Sequence, residues 1–146
     1  MAGEISFSKA KVEVSTNGTT WTDISAAATA VEVKGGDRKV GEAYAYSLDY
    51  PVITQGKREP INVTVKALYT EGSSEAFETA RAAYEAGTSL YVRWSPKGGT
   101  TGNFQFATDP GIVTSLVYPV GEAEKGDPVL CEFTLETAKI TKSVAA

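Results

Sequence analysis

The chain has 146 residues, 42% of them hydrophobic, which suits one domain, residues 1–146, that buries roughly two thirds of its unfolded surface. Its net charge of −4 and pI near 4.9 exclude the basic surface with which a protein grips nucleic acid. No run of 18 apolar residues occurs, so no membrane-spanning segment is expected.

The first quarter of the chain predicts a small antiparallel meander. Lys11–Val14 alternates like a strand, and Asn17-Gly18 is a favoured hairpin turn into a second strand at Thr19–Trp21. A third strand is expected at Ala30–Lys34, bounded by a pair of glycines. Its inward residues are Val31 and Val33.

The segment from about residue 35 to 60 is long, rich in glycine and charge, and yet aromatic. Because disordered segments are poor in aromatic residues, we predict an ordered arm, with Ala43 to Leu48 as one leg of a protruding hairpin. A lone hairpin cannot bury an apolar side, so a partner surface is expected to cover it. The alternative is that the tyrosines cover the domain's own sheet. The candidate inter-subunit residues are Tyr44, Tyr46, Leu48, Tyr50, Lys57 and Arg58.

Lys57 and Arg58 are candidates because of their charge. An acidic subunit needs some positive surface if it is to attract identical neighbours. The alternative is that these two side chains simply belong to a solvent-exposed turn.

The next segment predicts a strand followed by the one helix of the domain. Ile61, Val63, Val65, Ala67 and Tyr69 alternate with polar residues, which indicates a strand with one buried face. A helix is expected at about residues 74–86. Its expected cap is Ser74, its stop is Gly87, and its packing face is Phe77, Ala80 and Tyr84.

The rest of the chain predicts four more strands, at Leu90–Ser95, Phe104–Ala107, Ile112–Tyr118 and Val129–Ile140. In total, around eight short strands and one helix indicate a mainly β fold. We predict a β-sandwich or barrel with one packed helix and a long protruding arm. On the last strand the apolar face is Val129, Cys131, Phe133 and Leu135, and the polar face is Glu132, Thr134 and Glu136.

The sequence contains few residues suited to chemistry. Histidine, the usual general base and commonest metal ligand, is absent, and Cys131 is the only cysteine. The glycine-rich stretch at 98–102 lies between strands, with no helix start behind it, so it does not predict a phosphate site. We therefore expect no enzyme activity, no catalytic or metal-binding residue and no cofactor.

Several segments resemble the tail tube proteins of long-tailed bacteriophages. These segments are STNGTTWTDI in the opening meander, GKREP at the end of the arm, YTEG before the helix, LYVRWSPKGG, and GIVTSLVYPVGEAEKGDPVLCEFTLETAKI at the end. The likeness runs from about Lys11 to Lys142. Its most specific parts are the GKREP and YTEG pair and the YPVG turn that precedes the last strand.

The resemblance implies a β-sandwich with an outer helix that assembles as hexameric rings stacked into a hollow tube. It implies a structural protein of the virion that is made in the host bacterial cytoplasm. DNA would pass through the tube without adhering to it. Its partners would be further copies of itself and other tail proteins, such as the tape measure and the baseplate or terminator.

Two questions about surfaces follow from this resemblance. In a tube, Glu132, Thr134 and Glu136 are candidates to face the lumen, where repeated carboxylates would repel DNA phosphates. The alternative is that they lie on the outer surface and serve solubility.

A rival function is a monomeric carbohydrate- or ligand-binding β-sandwich, in which Trp21, Trp94 and the tyrosines form a stacking platform.

Overall fold

A computed structural model describes residues 3–71, 75–124 and 126–146 of the chain. In this part of the chain, a 3-10 turn at Phe7–Lys9 precedes eleven strands and one helix, α1 (Ala76–Ala86). The strands are β1 (Lys11–Ser15), β2 (Thr22–Asp23), β3 (Ala28–Gly35), β4 (Arg38–Ala43), β5 (Val52–Arg58), β6 (Ile61–Leu68), β7 (Ser89–Ser95), β8 (Phe104–Thr108), β9 (Gly111–Val117), β10 (Leu130–Thr137) and β11 (Ile140–Val144). The predicted fold class, mainly β with one packed helix, is confirmed.

The strands form two antiparallel sheets that are joined at β7, and a separate hairpin. Sheet 1 has the order β2-β1-β7-β8-β11, and sheet 2 has the order β3-β6-β10-β9. The first residues of β7 pair with β9, Leu90 opposite Gly111, before β7 continues into sheet 1. A Cβ atom on Gly111 would lie 2.6 Å from Leu135 Cδ1, so a larger residue where the two sheets meet would force the buried Leu135 side chain to shift.

The larger of two hydrophobic core clusters lies between the two sheets. It joins Val12 and Val14 of sheet 1 to Val65 and Phe133 of sheet 2. The predicted alternation in β6 and β10 is confirmed, because every second side chain is buried: Val63, Val65, Ala67, Cys131, Phe133 and Leu135.

Two valines that were expected in the core are exposed. Val33 pairs with Val63 but is 45% exposed, because β3 is the outermost strand of sheet 2 and borders solvent. Val129 is 41% exposed, because β10 begins only at the next residue, Leu130.

The helix lies against the core side of sheet 2, and its predicted packing face is partly wrong. Phe77 and Ala80 are buried as expected, but Tyr84 is exposed, and Ala76 and Ala83 are buried instead. The three alanines allow the helix backbone to approach the sheet closely, which leaves Tyr84 at the margin of the contact. No helix in the described residues is long and apolar enough to cross a membrane.

The ends of the helix follow the rules for capping. Gly87 adopts the left-handed conformation, with φ of 70°, and ends the helix as predicted. The N-cap is Glu75, whose carboxylate accepts a hydrogen bond from the Glu78 N–H at 3.2 Å. Ser74, the expected cap, lies outside the described residues.

Two predicted strands have different bounds in the structure. The strand expected at Thr19–Trp21 is β2, Thr22–Asp23, because Asn17 Oδ1 accepts the N–H groups of Thr19 and Thr20 and keeps both in the turn. The strand expected at Val129–Ile140 is two strands. β10 pairs in sheet 2 and ends at Thr137, after which the chain crosses to sheet 1 as β11.

Candidate assembly surfaces

The predicted arm is a two-stranded hairpin that stands apart from both sheets. Its legs are β4 and β5, which pair with one another from Arg38 opposite Arg58 to Ala43 opposite Val52. The expected leg at Ala43–Leu48 is therefore wrong, since residues 44–51 connect the legs at the tip. The alternation of tyrosines there resembles a strand, but no neighbouring strand pairs with it among the described residues.

The apolar side chains of the arm are exposed to solvent. The two core clusters of the domain contain none of them. The tyrosines therefore do not cover the domain's own sheet. Tyr46 is fully exposed, and the exposed fractions are 69% for Tyr44, 50% for Leu48, 80% for Tyr50, 64% for Val40 and 64% for Ile53.

The arm is joined to the domain by a short hydrogen-bonded base. The Gly36 N–H donates to Pro60 O at 3.0 Å, and the Glu59 N–H donates to Asp37 O at 2.8 Å. Gly35 has φ of 83°, and a Cβ atom there would lie 2.7 Å from Pro60 O. The turn from sheet 2 into the arm therefore requires glycine at this position.

Basic residues gather at the domain end of the arm. Lys57 and Arg58 are exposed at the end of β5, and Arg38 and Lys39 are exposed at the start of β4. Arg38 Nη1 also donates to Gly56 O at 3.2 Å, which ties the two legs together. We call these four residues the basic root of the arm.

The three candidate lumen residues lie together on the outer face of sheet 2. Glu132, Thr134 and Glu136 alternate with the buried side chains of β10, and Thr134 shares a 2.9 Å hydroxyl hydrogen bond with Thr64 of β6. The register places Glu32 and Lys34 of β3 and Lys66 of β6 on this same face.

Charges on this outer face are mixed. The face carries the carboxylates of three residues and the ammonium groups of two, so its net charge is weakly negative: Glu32, Glu132 and Glu136, and Lys34 and Lys66. Of the three carboxylates, that of Glu32 is paired, because its Oε1 lies 3.4 Å from Lys66 Nζ. The sequence pattern of β10 alone did not reveal the lysines contributed by β6 and β3.

A second exposed apolar surface lies at the end of sheet 2 opposite the arm. Its members are exposed by 50% for Tyr118, 79% for Val120, 41% for Val129 and 56% for Leu130, and we call them the far-end patch. The Tyr118 ring contacts Phe77 edge to face at 5.5 Å, so the patch is held against the core. Tyr118 and Val120 belong to the YPVG turn, whose exposure strand periodicity could not predict.

Comparison with known proteins gives a result at the level of fold. No protein-family model matches the chain, and no curated protein matches it. Solved structures match over almost its whole length. A chain of the anti-feeding prophage cap, which terminates the tube, has a TM-score of 0.75 at 15% identity and covers 99% of this chain and 94% of its own.

Two further structures show the same similarity. A chain of the sheath–tube complex of an extracellular contractile injection system has a TM-score of 0.67 at 17% identity, covering 97% of this chain and 92% of its own. A chain of the tail of an empty gene transfer agent particle, described with C6 symmetry, has a TM-score of 0.67 at 12% identity, covering 94% and 96%. This chain has the tail tube fold. The resemblance found in the sequence is confirmed at that level.

The two tryptophans of the rival carbohydrate platform lie in different surroundings. Trp94 is only 8% exposed, and its ring lies 6.0 Å from the tilted ring of Phe106. The Arg93 guanidinium covers the Trp21 ring at 4.3 Å and donates to Glu13. The two tryptophans therefore do not form one open stacking surface.

The single cysteine of the sequence lies in a core cluster. Cys131 is buried, and burial raises the pKa of its thiol to about 11. Among the described residues, no three side chains of the metal-ligating types lie together. The conspicuous surfaces are the arm, its basic root, the outer face of sheet 2 and the far-end patch.

Proposed function

We propose that this chain is a structural virion protein that assembles as stacked hexameric rings into a hollow phage tail tube, through which DNA passes into the host. The observation that carries the proposal is the arm, because its tyrosines and aliphatic side chains are exposed in the single chain. Contiguous exposed apolar surface of this kind marks an interaction site. The similarity to a chain of a C6-symmetric tail supports six subunits per ring.

The edge of sheet 2 supports the same proposal. Within the described residues, strand β3 pairs with β6 alone, so its other edge is unpaired along a strand of eight residues. Such an edge invites pairing with another chain, and closure into a ring satisfies every copy at once. In a closed ring, the β3 edge of every subunit would meet the same surface of its neighbour.

The outer face of sheet 2 is the proposed wall of the lumen. It carries Glu132, Thr134 and Glu136 and only a weakly negative net charge, which suits passage of DNA without adhesion. Repetition around a ring would turn one excess carboxylate per subunit into a band of negative potential. The role requires no catalysis and no cofactor. Its further partners would be the tape measure and the baseplate or terminator of the tail.

The proposal is tested by the mass and shape of the purified protein. Sedimentation over a range of concentrations should show a species with the mass of six 15.4 kDa subunits, or larger multiples of it. Negative-stain images of the same samples should show rings or tubes. A single 15.4 kDa species at every concentration, with no rings, would exclude spontaneous assembly.

Reversal of the charge at the basic root should weaken stacking. We expect Lys57→Glu with Arg58→Glu to reduce assembly in a manner that depends on salt, because attraction between exposed charges is screened at high ionic strength. The melting temperature should stay nearly unchanged, since both side chains are exposed. Sedimentation at low and high salt, together with thermal unfolding, measures both effects.

The matched control is Lys97→Glu with Lys139→Glu, which makes the same change in net charge at two exposed lysines outside residues 36–60. This control should assemble like the parent chain. A large fall in melting temperature in the Lys57/Arg58 variant, without an assembly defect, would refute the prediction.

Reversal of charge on the outer face of sheet 2 should make the tube retain DNA. With Glu132→Lys and Glu136→Lys, one carboxylate would face four ammonium groups on each subunit. Tubes should still form, but DNA should sediment with them at low salt, and genome release should slow or stop. Cosedimentation of tubes with DNA across a salt series measures the retention.

Glu85→Lys, at an exposed position on the helix, is the control for an added surface charge. It should leave DNA in the supernatant. Equal DNA retention by this control and the double variant would remove the lumen from the explanation.

A further inference from the structure

The turn between β1 and β2 surrounds the side chain of Asn17 with hydrogen-bond donors. Asn17 Oδ1 accepts the backbone N–H groups of Thr19 and Thr20, each at 2.8 Å. The same oxygen accepts the hydroxyl groups of Ser15 at 3.0 Å and Thr19 at 3.1 Å. Asparagine side chains often bond to the backbone of their own turn. The carboxamide of Asn17 is therefore fixed in one orientation.

The backbone nitrogen that follows Asn17 is also engaged. The Gly18 N–H donates to Ser15 Oγ at 2.8 Å, and the Asn17 N–H donates to the same oxygen at 3.2 Å. Ser15 is only 3% exposed, at the end of β1, so this acceptor is held by the sheet. Gly18 has φ of 81°, which favours glycine, and a Cβ atom there would lie 3.1 Å from the Tyr91 ring.

Asparagine followed by glycine is a chemically labile pair, because a residue without a side chain leaves the path to the carboxamide open. In the reaction, the Gly18 nitrogen loses its proton to water and forms a bond to Asn17 Cγ, and the bond from Cγ to the side-chain nitrogen breaks. Ammonia leaves, and a five-membered succinimide remains. Water then opens the ring at either carbonyl to give aspartate or isoaspartate, and nothing is oxidised or reduced.

The folded turn opposes the closure of this ring. Attack on Asn17 Cγ requires the Gly18 nitrogen to give up its proton and to approach the face of the carboxamide. In the structure that N–H is donated to Ser15 Oγ, and Asn17 Oδ1 is directed at the backbone of Thr19 and Thr20. These hydrogen bonds must break before the ring can close, so the reaction requires local opening of the turn.

We propose that Asn17-Gly18 is a deamidation site that the folded turn protects and that is modified when the turn opens. The reaction belongs to the single chain and is independent of the proposed tube. Isoaspartate adds one methylene group to the backbone, next to a glycine that already lies close to the Tyr91 ring. The lengthened turn would not restore its hydrogen bonds, so a chain that has opened here is marked by the product.

The change would reach the face of sheet 1 that lies away from the core. Trp21 follows the turn and contacts Tyr91 edge to face at 6.4 Å. The Arg93 guanidinium covers the Trp21 ring and donates to the buried Glu13. Displacement of Trp21 would loosen this group of side chains, so the isoaspartate form should unfold at a lower temperature than the parent.

Mass spectrometry measures the reaction. Trypsin releases residues 12–34, in which Asn17 is the only side chain that carries an amide, so a change in the mass of this peptide reports on Asn17 alone. The full folded chain should deamidate at least about tenfold more slowly than the synthetic peptide 12–34 at the same pH and temperature, because only the open fraction reacts. Thermal unfolding of chains that are unfolded, deamidated and refolded measures the loss of stability.

Substitutions in the turn test the origin of the protection. Ser15→Ala removes the acceptor of the Gly18 N–H and should raise the rate in the folded chain by about tenfold. Thr19→Val removes one hydroxyl donor and should raise the rate less, by about threefold, since both backbone donors remain. The matched control is Thr29→Ala, at an exposed position of β3 in the same tryptic peptide, which should react like the parent.

Equal rates in the folded chain and the peptide would overturn the proposal, and so would a folded Ser15→Ala chain that reacts no faster than the parent. A faster reaction in the folded chain would also overturn it, and would show that the donors around Asn17 Oδ1 stabilise the charge that develops there. If melting temperatures show that Ser15→Ala does not fold, the rates of the parent, the peptide and Thr19→Val decide the question.

Discussion

Replacement of residues 36–60 by a short Gly-Ser linker should leave a folded domain that no longer polymerises. Neither core cluster contains a residue of the arm. Gly35 and Ile61 are paired across β3 and β6, so a linker of a few residues can join them as a simple hairpin loop. The loss of assembly follows because the exposed apolar surface of the arm is removed.

Two measurements decide this result. Thermal unfolding should remain cooperative, and sedimentation should show one species of monomer mass. A matched variant that replaces only residues 44–51 keeps both legs and the basic root and should assemble at a higher concentration than the parent. Tubes formed without the arm would refute the assignment, and loss of folding would show that the arm belongs to the core.

Phe133→Ala should cause the largest loss of stability among single core substitutions. Phe133 is 1% exposed at the centre of β10, in the cluster that joins both sheets to the helix. Truncation of a buried phenylalanine removes its packing contacts and leaves a cavity, which costs about 3–5 kcal/mol. Since domains of this size are stable by about 5–15 kcal/mol, much of the folded population would be lost on warming.

Chemical denaturation measures this change in the free energy of unfolding. The matched control is Glu136→Ala on the same strand, where the side chain is exposed and the expected change is within about 0.5 kcal/mol. A loss below about 1 kcal/mol for Phe133→Ala would contradict the central place of this residue in the core.

The sequence predicted those parts of the fold in which side-chain periodicity has a physical cause. Val63 and Val65 in β6, and Phe133 and Leu135 in β10, alternate because one face of sheet 2 is core and the other is not. Gly87 could be placed because a left-handed residue that ends a helix is usually glycine.

Other parts depend on contacts that one strand does not reveal. The crossing from β10 to β11 after Thr137 was missed, because the alternation continues while the pairing partner changes from β9 to β8. In the arm, the alternating tyrosines indicated a leg, although the paired residues lie on either side of them. The existence of the arm was predicted from its composition, but its register was not.

The candidate surfaces were likewise predicted from the sequence only in part. Glu132, Thr134 and Glu136 were placed on one face correctly, since strand alternation decides it. The lysines beside them come from other strands and became visible only through the register. The far-end patch had no periodic signal, because it combines a turn with the start of a strand.

The most direct test of the account is a cryo-electron microscopy map of the assembled protein. The account predicts a hollow tube of stacked six-subunit rings, with Glu132, Thr134 and Glu136 on the wall of the lumen and each arm lying across a subunit of the next ring. A filament without a channel, or a tube with Glu132 and Glu136 on its outer surface and its arms in solvent, would contradict it.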